Sequence, residues 1–179
     1  MAQPSGFSGF FSAAAFAAAN PGDIITLLTD ATGSGVVINK DITIDFAGYT
    51  YTFTEGVGSS GTPSNGFQIL KDNDVVLKNG TLEVAEASKD KFYILVQNYA
   101  DLTVEDMTLD GTNLDKWSLV EADQDSYVLS NNSGTVNITG ETNIIANNEG
   151  DKAYAFDVCK FASYTEPVVT VADTGTIKG

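Results

Sequence analysis

Most of this chain is one motif written five times. Five segments share one pattern: DITIDFAGYTYTF from Asp41, DVVLKNGTLEV from Asp74, DLTVEDMTLDG from Asp101, TVNITGETNII from Thr135 and VVTVADTGTIKG from Val168. Each is an alternating apolar–polar run, a short polar corner and a second alternating run. The matching apolar positions Ile42, Val75, Leu102, Val136 and Val169 lie 33, 27, 34 and 33 residues apart. A near-constant period of this length marks a solenoid, in which no repeat can bury its apolar face alone and each is stabilised by its neighbours. A further short strand precedes each segment: VVI from Val36, FQIL from Phe67, YILV from Tyr93, YVLS from Tyr127 and AFDV from Ala155. Polar corners such as NK, KDN, QNYA and NNSG join the two. Three short strands and one longer excursion make one coil of a β-helix. Within a strand the side chains alternate, so Ile42 and Ile44 are expected to point inward and Thr43 and Asp45 outward. The expected fold is all-β: a right-handed parallel β-helix of about five coils stacked at the inter-strand spacing of about 4.8 Å.

The text before the repeats differs. SAAAFAAANPGD reads as a short helix over about residues 12–19, with Ser12 as N-cap, alanines that propagate it and Asn20-Pro21-Gly22 that stop it. Its apolar face around Phe16 suits a lid over the open end of the stack. Residues 1–11, MAQPSGFSGFF, combine Gly, Ser and Pro with Phe7, Phe10 and Phe11. Such a segment cannot bury its own rings, so it is either a disordered tail or an arm that docks on a partner. The expected organisation is therefore an arm over 1–11, a capping helix and turn over 12–22 and the β-helix over 23–179. From Asp23 to the end no helical periodicity is present. Spacing varies only in TEGVGSSGTPSNG, EASKDK, GTNLDKWSLVEADQDS and NNEGDKAY, which are expected to leave the body as loops and to carry Trp117, Tyr154 and much of the acidity.

The passage from Phe16 to Phe53 resembles the opening of pectate-lyase-like β-helix domains: an Ala-rich helix at Ala13 to Ala19, a Pro-Gly-Asp turn at Pro21 to Asp23, a strand with leucines from Ile24 to Leu28, then strands at Val36 to Ile38 and Ile42 to Gly48. The resemblance extends over about residues 12–179 and concerns architecture. Domains of this kind occur in polysaccharide lyases and hydrolases, in bacterial surface proteins, and in bacteriophage tailspikes and head fibres. What it implies about catalysis is testable on this chain. Pectate lyases of this class use an arginine base beside calcium-binding aspartates, and the hydrolases use an Asp cluster with Gly-His-Gly and Arg-Ile-Lys motifs. This chain has no arginine and neither of those motifs.

The composition bears on the same point. All nine basic residues are lysines and there is no histidine, so the usual neutral-pH proton carrier and the usual bidentate anion clamp are both missing. A glycosidase needs two carboxyl groups about 5 to 10 Å apart. The pairs Glu105 with Asp106 and Asp123 with Asp125 sit at a corner and in a loop, where a solvated face is the simpler reading. Asp101, Glu105, Asp106, Asp110 and Asp115 are close in sequence, but match no calcium-loop pattern and also read as surface acidity. Cys159 is the single cysteine; it reads as a small apolar strand residue, and no intrachain disulfide holds the fold. No cofactor is expected.

A formal net charge of −15 repels nucleic acid and anionic membranes. The apolar stretch from Phe10 to Ala19 has no Lys or Arg before it and is too short to span a bilayer, so neither a secretion signal nor a membrane anchor is expected. The expectation is a non-enzymatic structural or attachment protein, made in the host cytoplasm and working on a virion surface as a bacteriophage head fibre or decoration protein. Phe7, Phe10 and Phe11 would dock it to a capsid-like partner, and the analogy with phage fibres implies a homo-oligomer, in particular a trimer. The alternative is a bacterial cell-surface adhesin whose Trp117 and Tyr154 stack on a glycan, and the third reading a polysaccharide-degrading enzyme. The last strand pair stops at GTIKG with nothing to cover the final coil, so further polypeptide or a partner is expected there.

Overall fold

The computed structural model describes residues 7–8, 13–58, 64–114, 125–147 and 152–179. In chain order the elements are β1 (Phe7–Ser8), α1 (Ala13–Ala18), β2 (Ile24–Thr26), β3 (Ala31–Ser34), β4 (Val36–Ile38), β5 (Ile42–Asp45), β6 (Thr50–Glu55) and β7 (Asn65–Ile69). They continue with β8 (Asp74–Val84), a 3-10 turn at Glu86–Lys91, β9 (Ile94–Asn98), β10 (Asp101–Gly111), β11 (Ser126–Asn132), β12 (Thr135–Gly140) and β13 (Asn143–Ala146). The last three are β14 (Ala153–Cys159), β15 (Val168–Asp173) and β16 (Thr176–Lys178).

The strands stack in sequence order into a parallel β-solenoid. One sheet runs β1-β2-β5-β8-β10-β12-β15, with β3, β6, β13 and β16 pairing beside it, and a second of five strands runs β4-β7-β9-β11-β14. This is about four full turns, close to the five coils read from the repeat. The periodic positions meet as expected: Ile42 pairs with Val75, Val75 with Leu102, Leu102 with Val136 and Val136 with Val169. Ile42 and Ile44 are buried, while Thr43 and Asp45 between and after them are half-exposed. Parallel pairing covers both flanks of each inner coil, so Val75, Leu77, Leu102, Val104, Val136 and Ile138 have no exposed surface. Fully burying such a side chain stabilises by about 1.5–3 kcal/mol, offset in large part by the entropy of ordering the coil.

In two of the coils the polar corner between the alternating runs is tighter than the text suggested. In β8 and β10 the two runs form one continuous strand bent at a single left-handed residue, Asn79 (φ 60) and Asp106 (φ 52). Asn and Asp tolerate this conformation better than other L-residues because their short side chains bond locally. Asp45 fixes the preceding corner by accepting from the backbone N–H of Ala47 (2.9 Å) and from Nδ2 of Asn79 on the next coil (3.0 Å). Asp106 likewise accepts from the N–H of Glu141 (2.8 Å), and Asp173 from that of Thr142 (2.8 Å).

The helix forms where its alanines predict and ends at the Pro-Gly turn, with Gly22 at φ 85 and Asp23 accepting from the N–H of Asn20 (2.8 Å). No basic residue lies in its last turn. Lys40 supplies that charge from the first coil: its ammonium donates to the carbonyls of Phe16 (3.1 Å) and Ala19 (2.8 Å) and lies 4.6 Å from the centre of the Phe16 ring. The N-cap reading at Ser12 lies outside the described residues. EASKDK, read as a plain loop, is the 3-10 turn at Glu86–Lys91, supported by the Lys89–Glu86 ion pair at 3.0 Å. Among the described residues no helix is long and apolar enough to cross a membrane.

The final coil differs from those before it. Val169, Val171 and Ile177 occupy the column of inward positions, yet are 36%, 55% and 45% exposed, because among the described residues no coil packs on their far side.

Candidate functional site

Each passage from the five-strand sheet to the larger sheet is a corner, at residues 39–41, 70–73, 99–100, 133–134 and 160–167. Stacked coils bring these corners into one line along the solenoid. The first four are short, and the fifth is longer and folds back across its predecessors. The N–H of Phe161 donates to Oγ of Ser133 (2.7 Å), the hydroxyl of Thr165 donates to the Ser133 carbonyl (3.4 Å), and the N–H of Tyr164 closes a turn on the Phe161 carbonyl (3.0 Å). A Lys160–Glu166 ion pair joins the two ends of the loop. This carries Phe161 and Tyr164 to Tyr99, two coils earlier: ring centres are 5.4 Å apart for Tyr99–Phe161, 6.1 Å for Tyr99–Tyr164 and 5.6 Å for Phe161–Tyr164, all edge to face. The Lys71 ammonium, from a still earlier corner, lies 5.3 Å from the centre of the Tyr164 ring.

The fold-back encloses a groove of about 690 Å³. Tyr99 and Tyr164 line it with Lys71 and with Asp41, Asp74 and Asp101, the residues that open three successive strands of the larger sheet or immediately precede them. Its floor is the corner backbone at Ala100 and Gly134. Buried asparagines hold that floor. Nδ2 of Asn98 donates to the carbonyl of Ala100 (3.0 Å) and to Oδ1 of Asn131 (3.0 Å), Oδ1 of Asn98 accepts from the Ala100 N–H (3.1 Å), and Nδ2 of Asn131 donates to the Gly134 carbonyl (2.8 Å). With these amides in place a Cβ on Gly134 would lie 2.3 Å from Nδ2 of Asn98, so only glycine fits there.

The charges of the groove are unequal in their engagement. Asp41 accepts from the N–H of Asp74 (2.9 Å), and Asp72 pairs with Lys71 at 3.7 Å. The carboxylates of Asp74 and Asp101 make no hydrogen bond or ion pair to other described residues. They are register partners on adjacent coils, so their backbones stand at roughly the inter-strand spacing of 4.8 Å. Burial, and then the neighbouring thiol of Cys159 and the Tyr164 hydroxyl, hold the Tyr99 hydroxyl above its ordinary pKa against a hydrogen bond with Asn132 that lowers it, so Tyr99 is neutral at pH 7. Cys159 ends β14, and burial with the nearby Asp157 raises its thiol above the usual range, which opposes thiolate chemistry. Its Sγ lies 2.6 Å from Oδ1 of Asn132.

The residues singled out from sequence fall elsewhere. Phe10, Phe11 and Trp117 lie outside the described residues. Phe7 lies on β1, whose backbone pairs in parallel with β2 at Ile25 and Thr26. Tyr154 is not on a loop: it belongs to β14 and is 43% exposed, with its ring stacked on that of its register partner Tyr127 (5.5 Å, 19° between planes). The strand read as starting at Ala155 begins at Ala153, so the NNEGDKAY excursion ends two residues earlier than expected, where Tyr154 gains this cross-coil partner. Asp125 accepts from the Tyr127 hydroxyl (3.0 Å), while Asp123 and Asp115 lie outside the described residues. The carboxylates of β10 are strung along an extended strand, with Asp110 bonded to the Thr112 backbone and hydroxyl, and among the described residues no three metal-ligating side chains converge.

Tyr99 and Tyr164 were missed because 65 positions separate them. The signal lay in the repeat: laying the corner QNYA over the corner that follows AFDVC puts both along one edge of the stack. Comparison with known proteins finds no matching family model, no matching curated protein and no matching solved structure.

Proposed function

We propose that this chain is a non-enzymatic structural and attachment protein of a bacteriophage virion surface, a head fibre or decoration protein, anchored through Phe7, Phe10 and Phe11 and projecting its solenoid outward as a homo-oligomer. The observation that supports this reading is how the acidic side chains are used. Asp23, Asp30, Asp41, Asp45, Asp106 and Asp173 each accept a backbone N–H at a turn or coil junction, so these carboxylates are engaged in bracing the scaffold. A compact, acidic, parallel stack suits a projecting part, and an aromatic segment placed before the capping helix suits its anchor.

The test is location and turnover together. Antibody raised against the chain is expected to decorate intact particles in electron micrographs, and particles carrying the chain without residues 1–11 are expected to lose it. Incubation with neutral and acidic polysaccharides is expected to release no reducing ends. Labelling of bacterial cells in place of particles would move the assignment to a cell-surface adhesin, and catalytic release of sugar would refute the reading outright.

A further inference from the structure

We infer that the corner groove between Tyr99 and Tyr164 is a binding site for a neutral, hydroxyl-rich glycan. The inference goes beyond the proposed role and holds whichever surface carries the protein.

Volume comes first. At about 690 Å³ the groove is within the range of small-ligand sites, roughly 300–1,000 Å³. Its walls combine aromatic rings with hydrogen-bond acceptors, the two things a pyranose needs: an apolar face on which its C–H side packs, and acceptors for the hydroxyls around its rim. The rings come prefixed, because Tyr99, Phe161 and Tyr164 brace one another edge to face and the loop is tied to Ser133. Little conformational entropy remains to be lost on binding.

The unengaged carboxylates then select the ligand. Asp74 and Asp101 are register partners on adjacent coils whose carboxylates make no hydrogen bond or ion pair to other described residues, and hydroxyl donors satisfy both through short, charge-assisted hydrogen bonds. Asp41 and Asp72 add to the same negative field, which disfavours uronic acids, sialic acids and phosphorylated sugars. A divalent ion does not fit, since among the described residues no three ligating side chains converge. A polyamine or basic peptide is the weaker candidate because the groove carries its own cation: Lys71 pairs with Asp72 and sits over the Tyr164 ring, where a ligand ammonium would go.

The experiment titrates the full chain, followed by 1H–15N NMR, with neutral gluco-, galacto- and manno-oligosaccharides, and with oligogalacturonate and spermidine as counter-probes. Tyr164→Ala, on an exposed loop, and Asp101→Asn, which keeps size and shape, are read alongside with circular dichroism to verify folding. At least one neutral series is expected to saturate, to shift the amides of residues 99–101, 133–135 and 163–165, and to bind the folded variants about tenfold or more weakly; oligogalacturonate is expected to bind at least about tenfold more weakly than the neutral ligand. Saturation by none of the neutral sugars, shifts away from these amides, unchanged affinity in both variants, or tighter binding of spermidine would each overturn the assignment.

Discussion

Ile144 and Ile177 are the same residue type, paired in register on neighbouring coils, and they differ only in what lies beyond them. Ile144 has no exposed surface, with Leu109 on one side and Ile177 on the other; Ile177 is 45% exposed. Replacing either by alanine removes three carbons. At Ile144 the transfer contribution, at about 0.8 kcal/mol per buried methylene, comes to roughly 2.5 kcal/mol, and the cavity left between two fixed coils raises it toward the upper half of the usual 2–5 kcal/mol range. At Ile177 about half of the transfer contribution is already absent and water fills the gap, so about 1 kcal/mol is expected. Urea unfolding of the two variants, followed by circular dichroism and intrinsic fluorescence, measures the difference. Ile144→Ala is expected to lower the midpoint of the whole transition, and Ile177→Ala to affect mainly an early phase in which the last coil frays, as expected where coils touch only their neighbours. Equal losses at the two sites would refute the reasoning, because they would mean that burial by the following coil does not set the stability of a rung.

Three further outcomes follow from the geometry. Gly134→Ala drives a Cβ to 2.3 Å from Nδ2 of Asn98 and is expected to cost about 2 kcal/mol or more, whereas Gly48→Ala, with φ at 88° but open space around it, is expected to cost only the left-handed penalty of about 1–2 kcal/mol; thermal melts distinguish them. Burial lifts the Tyr51 hydroxyl to about 12, and this hydroxyl donates to the Ser34 carbonyl at 2.9 Å. Because the folded state holds that proton more tightly than the unfolded chain, the contribution is complete below pH 10 and declines between pH 10 and 12 by on the order of 2–3 kcal/mol; Tyr51→Phe is expected to be less stable at pH 7 yet to lose less across that window in alkaline denaturation. With 24 acidic against 9 basic residues, self-repulsion dominates the exposed ion pairs, so the melting temperature is expected to rise between 10 mM and 300 mM sodium chloride.

The column of Ile42, Val75, Leu102, Val136 and Val169 was legible because a solenoid repeats its burial pattern in sequence, and periodicity survives without knowledge of the turns. Helix α1 was legible for a similar reason: alanines bounded by Pro-Gly are local signals. The merging of two runs into β8 and β10 was not, since one left-handed Asn or Asp looks in text like any polar corner. Nor was the 3-10 turn, whose six residues are too few to show a period. Tyr154 was misplaced because its strand is extended by stacking on Tyr127, a contact between coils that no local rule reveals. The groove was the least legible of all. It depends on the corner at 160–167 folding back across two coils, and on Asn98 and Asn131 burying their amides to hold its floor, which in sequence read as ordinary turn asparagines.

Equivalent apolar residues stack coil on coil in parallel register, and methyl-to-methyl nuclear Overhauser effects in a selectively labelled sample report that stacking. An unbroken chain of contacts is expected from Ile42 to Val75, Leu102, Val136 and Val169, with Ile44, Leu77, Val104, Ile138 and Val171 forming a second chain beside it. Strong Hα–Hα contacts between opposed strands, the mark of antiparallel pairing, or a chain shifted by one residue at any step, would contradict it.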